Sequence, residues 1–278
     1  MNRPFQSEGK AERAAGTACG GILMVGDVVG ESGLAALESL LPALKADYRA
    51  ALAVVNGENA ADGIGMTEVC AQRIFAAGAD VITTGNHIWE KRDFLPLLDS
   101  DSRILRPFNY PAGAVGHGST LIEREGFNAL VINLQGREYM HAIDCPFKAF
   151  DALDESLALA HARPIIIVDF HAESAQEKEA LAFYLDGRAT VVAGTHTHVQ
   201  TADERILPQG TAYITDLGMC GARESVIGMD MTVCLNRIKT HVPYKMEAAK
   251  GAGFIQGIAV HIDAASGKAL SIERWKRQ

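Results

Sequence analysis

Five times along this chain a short apolar run stops on a polar cluster, and that repeat limits the fold more than any single motif. "GILMV" runs into Gly26-Asp27, and "ALAVVN" into Gly57-Glu58-Asn59. "DVITT" meets Gly85-Asn86-His87, "RPIIIV" meets Asp169-Phe170-His171, and "TVVA" meets Gly194-Thr195-His196-Thr197-His198. Apolar runs this short, bounded by glycine and polar residues, read as buried strands. Stretches with helical spacing lie between them. "GLAALESLLPALKADY" is one, with Ser32 at its expected N-cap; "MTEVCAQRIFAAGA" is another, capped by Thr67. Strand, helix and strand in alternation call for parallel pairing through right-handed crossovers. The carboxyl ends of parallel strands share one edge of the sheet, where ligands bind. Asp27, Glu58, Asn59, Asn86, His171, His196 and His198 are therefore expected on one patch.

The second half repeats the pattern less regularly. "NALVINLQG" and "RPIIIVDFHAE" read as buried strands around a helix near 147–161. "AQEKEALAFYLDG" reads as a helix ending at Gly187. "TVVAGTHTH", "GTAYITD" and "GFIQGIAVHID" continue the strands, and "KALSIERWK" closes the chain as an edge strand. No linker or repeat divides it. The expectation is an α/β fold in one domain over 21–278, drawn as two packed sheets with helices outside, behind a disordered leader at 1–20. That leader carries Glu8, Lys10, Glu12 and Arg13 and no apolar centre, unlike a signal peptide.

All seven strand-end residues offer oxygen or imidazole donors. None is a cysteine, which argues against soft-metal chemistry and for iron or manganese, with zinc also fitting. Seven donors exceed what one ion with an open position needs. They suit two ions sharing a carboxylate, an arrangement that clamps phosphoryl oxygens with ions roughly 3.5–4 Å apart and makes hydroxide from a bound water. His196 and His198, two apart on an expected strand, would share a face, with Thr197 pointing away. Each residue has an ordinary structural reading alone, as a turn, cap or buried polar group. Five coincident endings do not.

Bulk properties narrow the partners. The formal net charge of -8 disfavours a long nucleic acid, though a small anion remains compatible with bound cations. The five cysteines are odd in number, widely spaced and without a CxxC pair, which reads as free thiols in a reducing compartment, the cytoplasm. No apolar run reaches the roughly 18–20 residues that span a bilayer. A homo-oligomer is compatible with the sequence.

At these strand ends the chain resembles the calcineurin-like metallophosphoesterases, and within them the bacterial YmdB-type branch, which hydrolyses cyclic nucleotides. The resemblance begins at about Gly21 and includes "GDVVG", "ITTGNHIW", "VDFHAE", "GTHTHVQTADERILP" and "SVIGMD". The chain departs from the wider superfamily twice. Val29 stands where a histidine is common, and Glu58-Asn59 replaces an aspartate pair; both departures fit the YmdB-type branch. The resemblance implies a four-layer α-β-β-α sandwich of two mixed sheets. It implies Asp27, Glu58, Asn59 and His198 on one ion, Glu58, Asn86, His171 and His196 on the other, and Glu58 bridging. It implies His87 as general acid. The implied reaction is hydrolysis of small phosphodiesters, 2′,3′-cyclic nucleotides foremost and 3′,5′-cyclic AMP as a further substrate, by attack of metal-bound hydroxide. Alternatives are a phosphomonoesterase and a metal-binding regulatory protein of the same fold with little turnover. An amidohydrolase barrel would need its HxH pair on the first strand and eight βα repeats, which the chain lacks.

Substrate contacts are not legible. Arg106, Arg223 and the stretch "LGMCGARESVIGMD" are weak candidates for the pocket. His117, His141 and His241 read as structural or exposed, and Cys220, though near the expected site, has no nucleophile signature.

Overall fold

The computed structural model describes residues 21–124, 126–157 and 164–278. The leader at 1–20, and the end of the helix expected to reach 161, lie outside the described residues.

The first half runs β1 (Gly21–Val25), β2 (Asp27–Val28), α1 (Gly30–Asp47), β3 (Ala50–Asn56), α2 (Glu68–Ala76), β4 (Val81–Thr83) and a short α3 (Leu95–Ser100). A hairpin follows, β5 (Ser119–Arg124) and β6 (Phe127–Gln135), then α4 (Pro146–Leu157), β7 (Ile165–His171), α5 (Ala175–Tyr184) and β8 (Val191–Thr195). The chain ends with β9 (Arg205–Ile206), β10 (Ala212–Ile214), β11 (Met219–Ala222), α6 (Met231–Thr240), β12 (Gly253–Asp263) and β13 (Lys268–Arg277).

Two sheets result. The first orders its strands β2-β11-β12-β1-β3-β4, with β13 antiparallel to β12; the second is β5-β6-β7-β8-β10-β9. Both are mixed. β1, β3 and β4 are parallel neighbours in one sheet, and β6, β7, β8 and β10 in the other.

Side-chain alternation along each strand builds the layers. In β1, Leu23 and Val25 pack with Leu37 and Leu41 of α1, whereas Ile22 and Met24 pack between the sheets. In β7, Ile165 and Ile167 face between the sheets, and Ile166, Val168 and Phe170 pack with Phe150 of α4 and Leu181 of α5. The strands are apolar on both faces because both faces are covered. Each such side chain contributes about 1.5–3 kcal/mol on burial. The result is the α-β-β-α sandwich.

Some local expectations shift. Thr67 does cap α2, its hydroxyl accepting from Cys70 N. Ser32, however, lies inside α1, which starts two residues earlier with Val29 at the N-cap. The Gly30 N–H is held by the Asn59 carbonyl at 3.0 Å, so the β3 loop, not a serine, satisfies the helix start. The Ser32 hydroxyl instead donates to the Ala249 carbonyl at 3.1 Å. α5 stops at Tyr184, and Gly187, at φ 79°, turns the chain beyond it.

Candidate metal centre

Between the two sheets the inward positions change character in a single layer. Leu52 and Val54 of β3 give way to Asn56, Val81 of β4 to Thr83, Ile167 of β7 to Asp169, and Val191 and Ala193 of β8 to Thr195. All four polar side chains are buried, and they bond one another. The Asp169 carboxylate accepts from the Thr83 hydroxyl, from Asn56 Nδ2 at 3.1 Å and from the Thr195 hydroxyl at 2.7 Å. Burial pushes its carboxyl above the usual range, against these hydrogen bonds. This network ties the carboxyl ends of β3, β4, β7 and β8 into one platform.

His171 stands on that platform. Its Nδ1 donates to the Thr195 hydroxyl at 2.9 Å, because that hydroxyl is already spent as a donor to Asp169. The tautomer is thereby fixed and Nε2 is left bare. Around Nε2 lie Glu58 Oε1 at 3.0 Å, His196 Nδ1 at 3.0 Å and Asn86 Oδ1 at 3.2 Å. His196 is oriented in turn by Glu173, whose Oε2 meets Nε2 at 3.2 Å, so its Nδ1 lone pair also faces inward. Donor atoms of Glu58, His171 and His196 all lie within 4.8 Å of one another. Four lone-pair atoms converging on one buried point fit a cation.

The electrostatics agree. Burial opposes charge on Glu58, but the neighbouring His171 outweighs it and holds the carboxyl at about 2. Burial lowers His171 less than Glu58 and then Asp27 raise it, to about 9. Burial and the facing His171 push His196 down to about 3. A proton thus collects on His171, where a metal ion would take its place.

A second group lies beside the first. Asp27 is fully buried, and burial pushes its carboxyl up to about 6 against the pull of His198 and His171. Its Oδ2 accepts from His196 N at 3.2 Å, while Oδ1 has no hydrogen-bond partner among the described residues. His198 Nε2 lies 3.7 Å from that orphaned oxygen, and His198 Nδ1 donates to the Ile227 carbonyl at 2.8 Å, which leaves Nε2 bare. Asn59 Nδ2 bonds both His198 Nε2 and Glu58 Oε1 at 3.2 Å. Its Oδ1 accepts from His87 Nδ1 at 3.0 Å. Offering Oδ1 to an ion beside Asp27 therefore takes a half-turn of the Asn59 amide.

The structure brings together all seven expected donors and His87, whose side chain is one-third exposed. It corrects how the two histidines of the "HTH" stretch get there. β8 ends at Thr195, and His196 and His198 have φ of 101° and 66°, outside any strand. Thr197 turns onto Asp216, which accepts from its N–H at 3.2 Å and its hydroxyl at 2.8 Å. Asp216 is in turn paired with Lys178 of α5 at 2.7 Å, both buried. Gly194 makes room for the Thr215 carbonyl and the Lys178 stem; the glycine that leaves space for ligands is Gly85, where a Cβ would collide with His171 and Glu58.

A cavity of about 730 Å³ opens over Glu58, Asn59, His87, His196 and His198. Ile227 and Met229, from the glycine-containing stretch after β11, line it, as do Arg237 and Lys245, which the sequence did not single out. Arg106 is elsewhere, its guanidinium held by the Pro107 and Phe108 carbonyls, and Arg223 is exposed away from the cavity. His141 lines a separate cleft beside Asn86 and His196, while His117 bonds the Asp99 carbonyl and His241 follows α6. Cys220 is buried and its thiol is pushed up by burial, which makes it inert. A polar cleft of about 430 Å³ near Arg188 and Lys268 holds none of the seven donors.

Comparison with known proteins places this geometry. A family model described as "YmdB-like protein" matches residues 23–275. The 2′,3′-cyclic-nucleotide 2′-phosphodiesterase of Bacillus subtilis is 46% identical, over 91% of this chain and 95% of that protein. Among solved structures, a hypothetical protein from Thermus thermophilus superposes with a TM-score of 0.86 at 37% identity, covering 92% of this chain and 98% of that one. A phosphatase from Mycoplasma pneumoniae gives 0.88 at 32% identity, covering 94% of each.

Proposed function

The chain belongs to the YmdB-like family and is a phosphoric ester hydrolase, and from that premise we propose that it is a dinuclear metal-dependent phosphodiesterase. Its substrates are small phosphodiesters, 2′,3′-cyclic nucleotides first, with 3′,5′-cyclic AMP secondary. The observation that carries the metal reading is the convergence of Glu58, Asn86, His171 and His196 on one buried point beside the orphaned Asp27 Oδ1.

Glu58, Asn86, His171 and His196 would hold one ion. Asp27, His198 and Glu58 would hold the other, with Asn59 joining after its amide half-turn. Iron or manganese suits these donors, and zinc is compatible. When bound, the ions would neutralise the phosphoryl oxygens and acidify water. The protein's own part is orientation and proton transfer. Thr195, Glu173 and the Ile227 carbonyl fix the three imidazoles through their outer nitrogens. His87 meets the Asn59 amide through Nδ1; after the half-turn Nδ1 would accept from Asn59 Nδ2, which keeps the imidazole proton on Nε2 for the departing ribose oxygen, a poor leaving group that an acid assists.

Metal analysis joined to a substrate panel tests this. Wild type should hold two ions per chain and hydrolyse bis(p-nitrophenyl) phosphate and 2′,3′-cyclic AMP. Asn86→Ala should lose one ion and about 10²-fold or more in rate. Full metal content together with full rate in that variant would overturn the site. Two ions in wild type with no hydrolysis would favour a regulatory metal protein instead.

A further inference from the structure

Part of the lining of the 730 Å³ cavity is apolar. Ile64, Ile227, Met229, Tyr244 and Met246 form it, and Tyr244 is the one aromatic ring besides the imidazoles among the described lining residues. Tyr244 is 41% exposed and Ile227 48%, a large apolar exposure for a concave surface beside buried carboxylates. Such a pocket pairs polar groups that orient the reacting end with an apolar face that receives the remainder of the ligand.

The wall is fastened to the metal centre. Ile227 has φ 49°, a left-handed conformation costly for a β-branched residue. Its carbonyl receives His198 Nδ1, while its side chain lines the cavity. The segment carrying Tyr244 and Met246 is laced to the same turn, since Asp230 N donates to the Glu247 carbonyl at 2.8 Å and Ala249 N to the Gly228 carbonyl at 2.9 Å. Arg237 and Lys245 place positive charge at the cavity of a chain whose net charge is -8.

Resting on the phosphodiesterase reading above, we propose that this wall is a nucleobase subsite, with Tyr244 its stacking surface and Ile64, Ile227 and Met246 its apolar surround. A phosphate at the donor wall leaves a flat ring to enter this space; a bare sugar would leave the wall wet. The subsite does not separate bases by an amide. Asn59 is its one lining amide and is engaged by Glu58, His87 and His198, so no free side-chain amide reads a base edge. Stacking tolerates every base because each has a π-face.

The test compares 2′,3′-cyclic AMP, 2′,3′-cyclic CMP and glycerol 1,2-cyclic phosphate, a five-membered cyclic diester without a base, on the metal-loaded full chain. Wild type should prefer either nucleotide over the glycerol ester by about 5- to 100-fold in kcat/KM, the range of one stacking contact. Tyr244→Ala should raise KM for both nucleotides by about that factor, with kcat within twofold and the glycerol ester unaffected; Tyr244→Phe should behave as wild type. Isothermal titration of adenosine 3′-phosphate should show the same loss of affinity. If Tyr244→Ala leaves the nucleotide preference intact, or slows the glycerol ester equally, the subsite is overturned alone. If wild type turns over none of the three esters, the phosphodiesterase reading falls and the subsite with it.

Discussion

The acid role proposed for His87 falls to Nε2 because the Asn59 amide meets Nδ1, with Nδ1 and Oδ1 3.0 Å apart. The role depends on the leaving group. On 2′,3′-cyclic AMP, His87→Ala should cut kcat by about 10²–10⁴-fold, while p-nitrophenolate, which leaves without a proton, should depart at nearly the wild-type rate. Equal losses on both substrates, or none on either, would reject the acid role. Gly85 sets a different constraint. A methyl group there would occupy the space of His171 Cδ2 and Nε2 and of Glu58 Oε2. His171 cannot yield, being fully buried and held through Nδ1 by Thr195. Gly85→Ala should therefore fold but lose the ion proposed for Glu58, Asn86, His171 and His196, which elemental analysis of the purified variant would read directly. Retention of two ions would show that the ligands shift at little cost.

At the level of elements, the strand ends were legible because covered parallel strands are apolar to their last inward residue and polar immediately after. That is why Asp27, Glu58, Asn86 and His171 could be grouped from sequence. The same rule hid the platform beneath them. Asn56, Thr83, Asp169 and Thr195 follow the period-two register of their strands and are buried, but in sequence nothing sets them apart from the polar residues beside them. From sequence the bend at His196–His198 reads as strand, because residues two apart on either structure can share a side, and only the backbone angles distinguish them. What holds that bend is distant in sequence, the Asp216–Lys178 pair, which no local pattern announces. Breaking a buried pair strands a charge at a cost of about 3–5 kcal/mol, more than replacing both partners does. Thermal melts of Lys178→Met, Asp216→Asn and the double variant should show the double less destabilised than the sum of the singles. Additive losses would mean that the pair contributes nothing beyond its separate contacts.

Across the whole molecule, two sheets deliver acidic groups and imidazoles to one buried seam, so stability and metal content are linked through protons. Without metal, His171 sits near 9, above its unfolded value of 6.5. Its contribution is then complete below pH 6.5 and disappears as pH rises through 9. Asp27, raised from 3.8 to about 6, acts in the same direction at lower pH: its neutral form favours the fold below 3.8, and that advantage is lost as pH rises through 6. Glu58, lowered from 4.5 to about 2, runs oppositely, giving stability above 4.5 that is lost on acidification through 2. Between pH 6.5 and 9 only the His171 loss is in progress among these three. Chelator-treated protein should therefore melt lower at pH 9 than at pH 6.5, by about 5 °C at roughly 2–4 °C per kcal/mol for a domain of this size. A metal ion at the proposed site would replace the His171 proton, so the loaded protein should lose this slope and gain in melting temperature most at the alkaline end, releasing protons as it binds. Melting curves of both forms across that window, with proton release followed by titration, measure it. A metal-free protein whose melting temperature stays flat or rises from pH 6.5 to 9 would mean that no proton is held where the four donors meet.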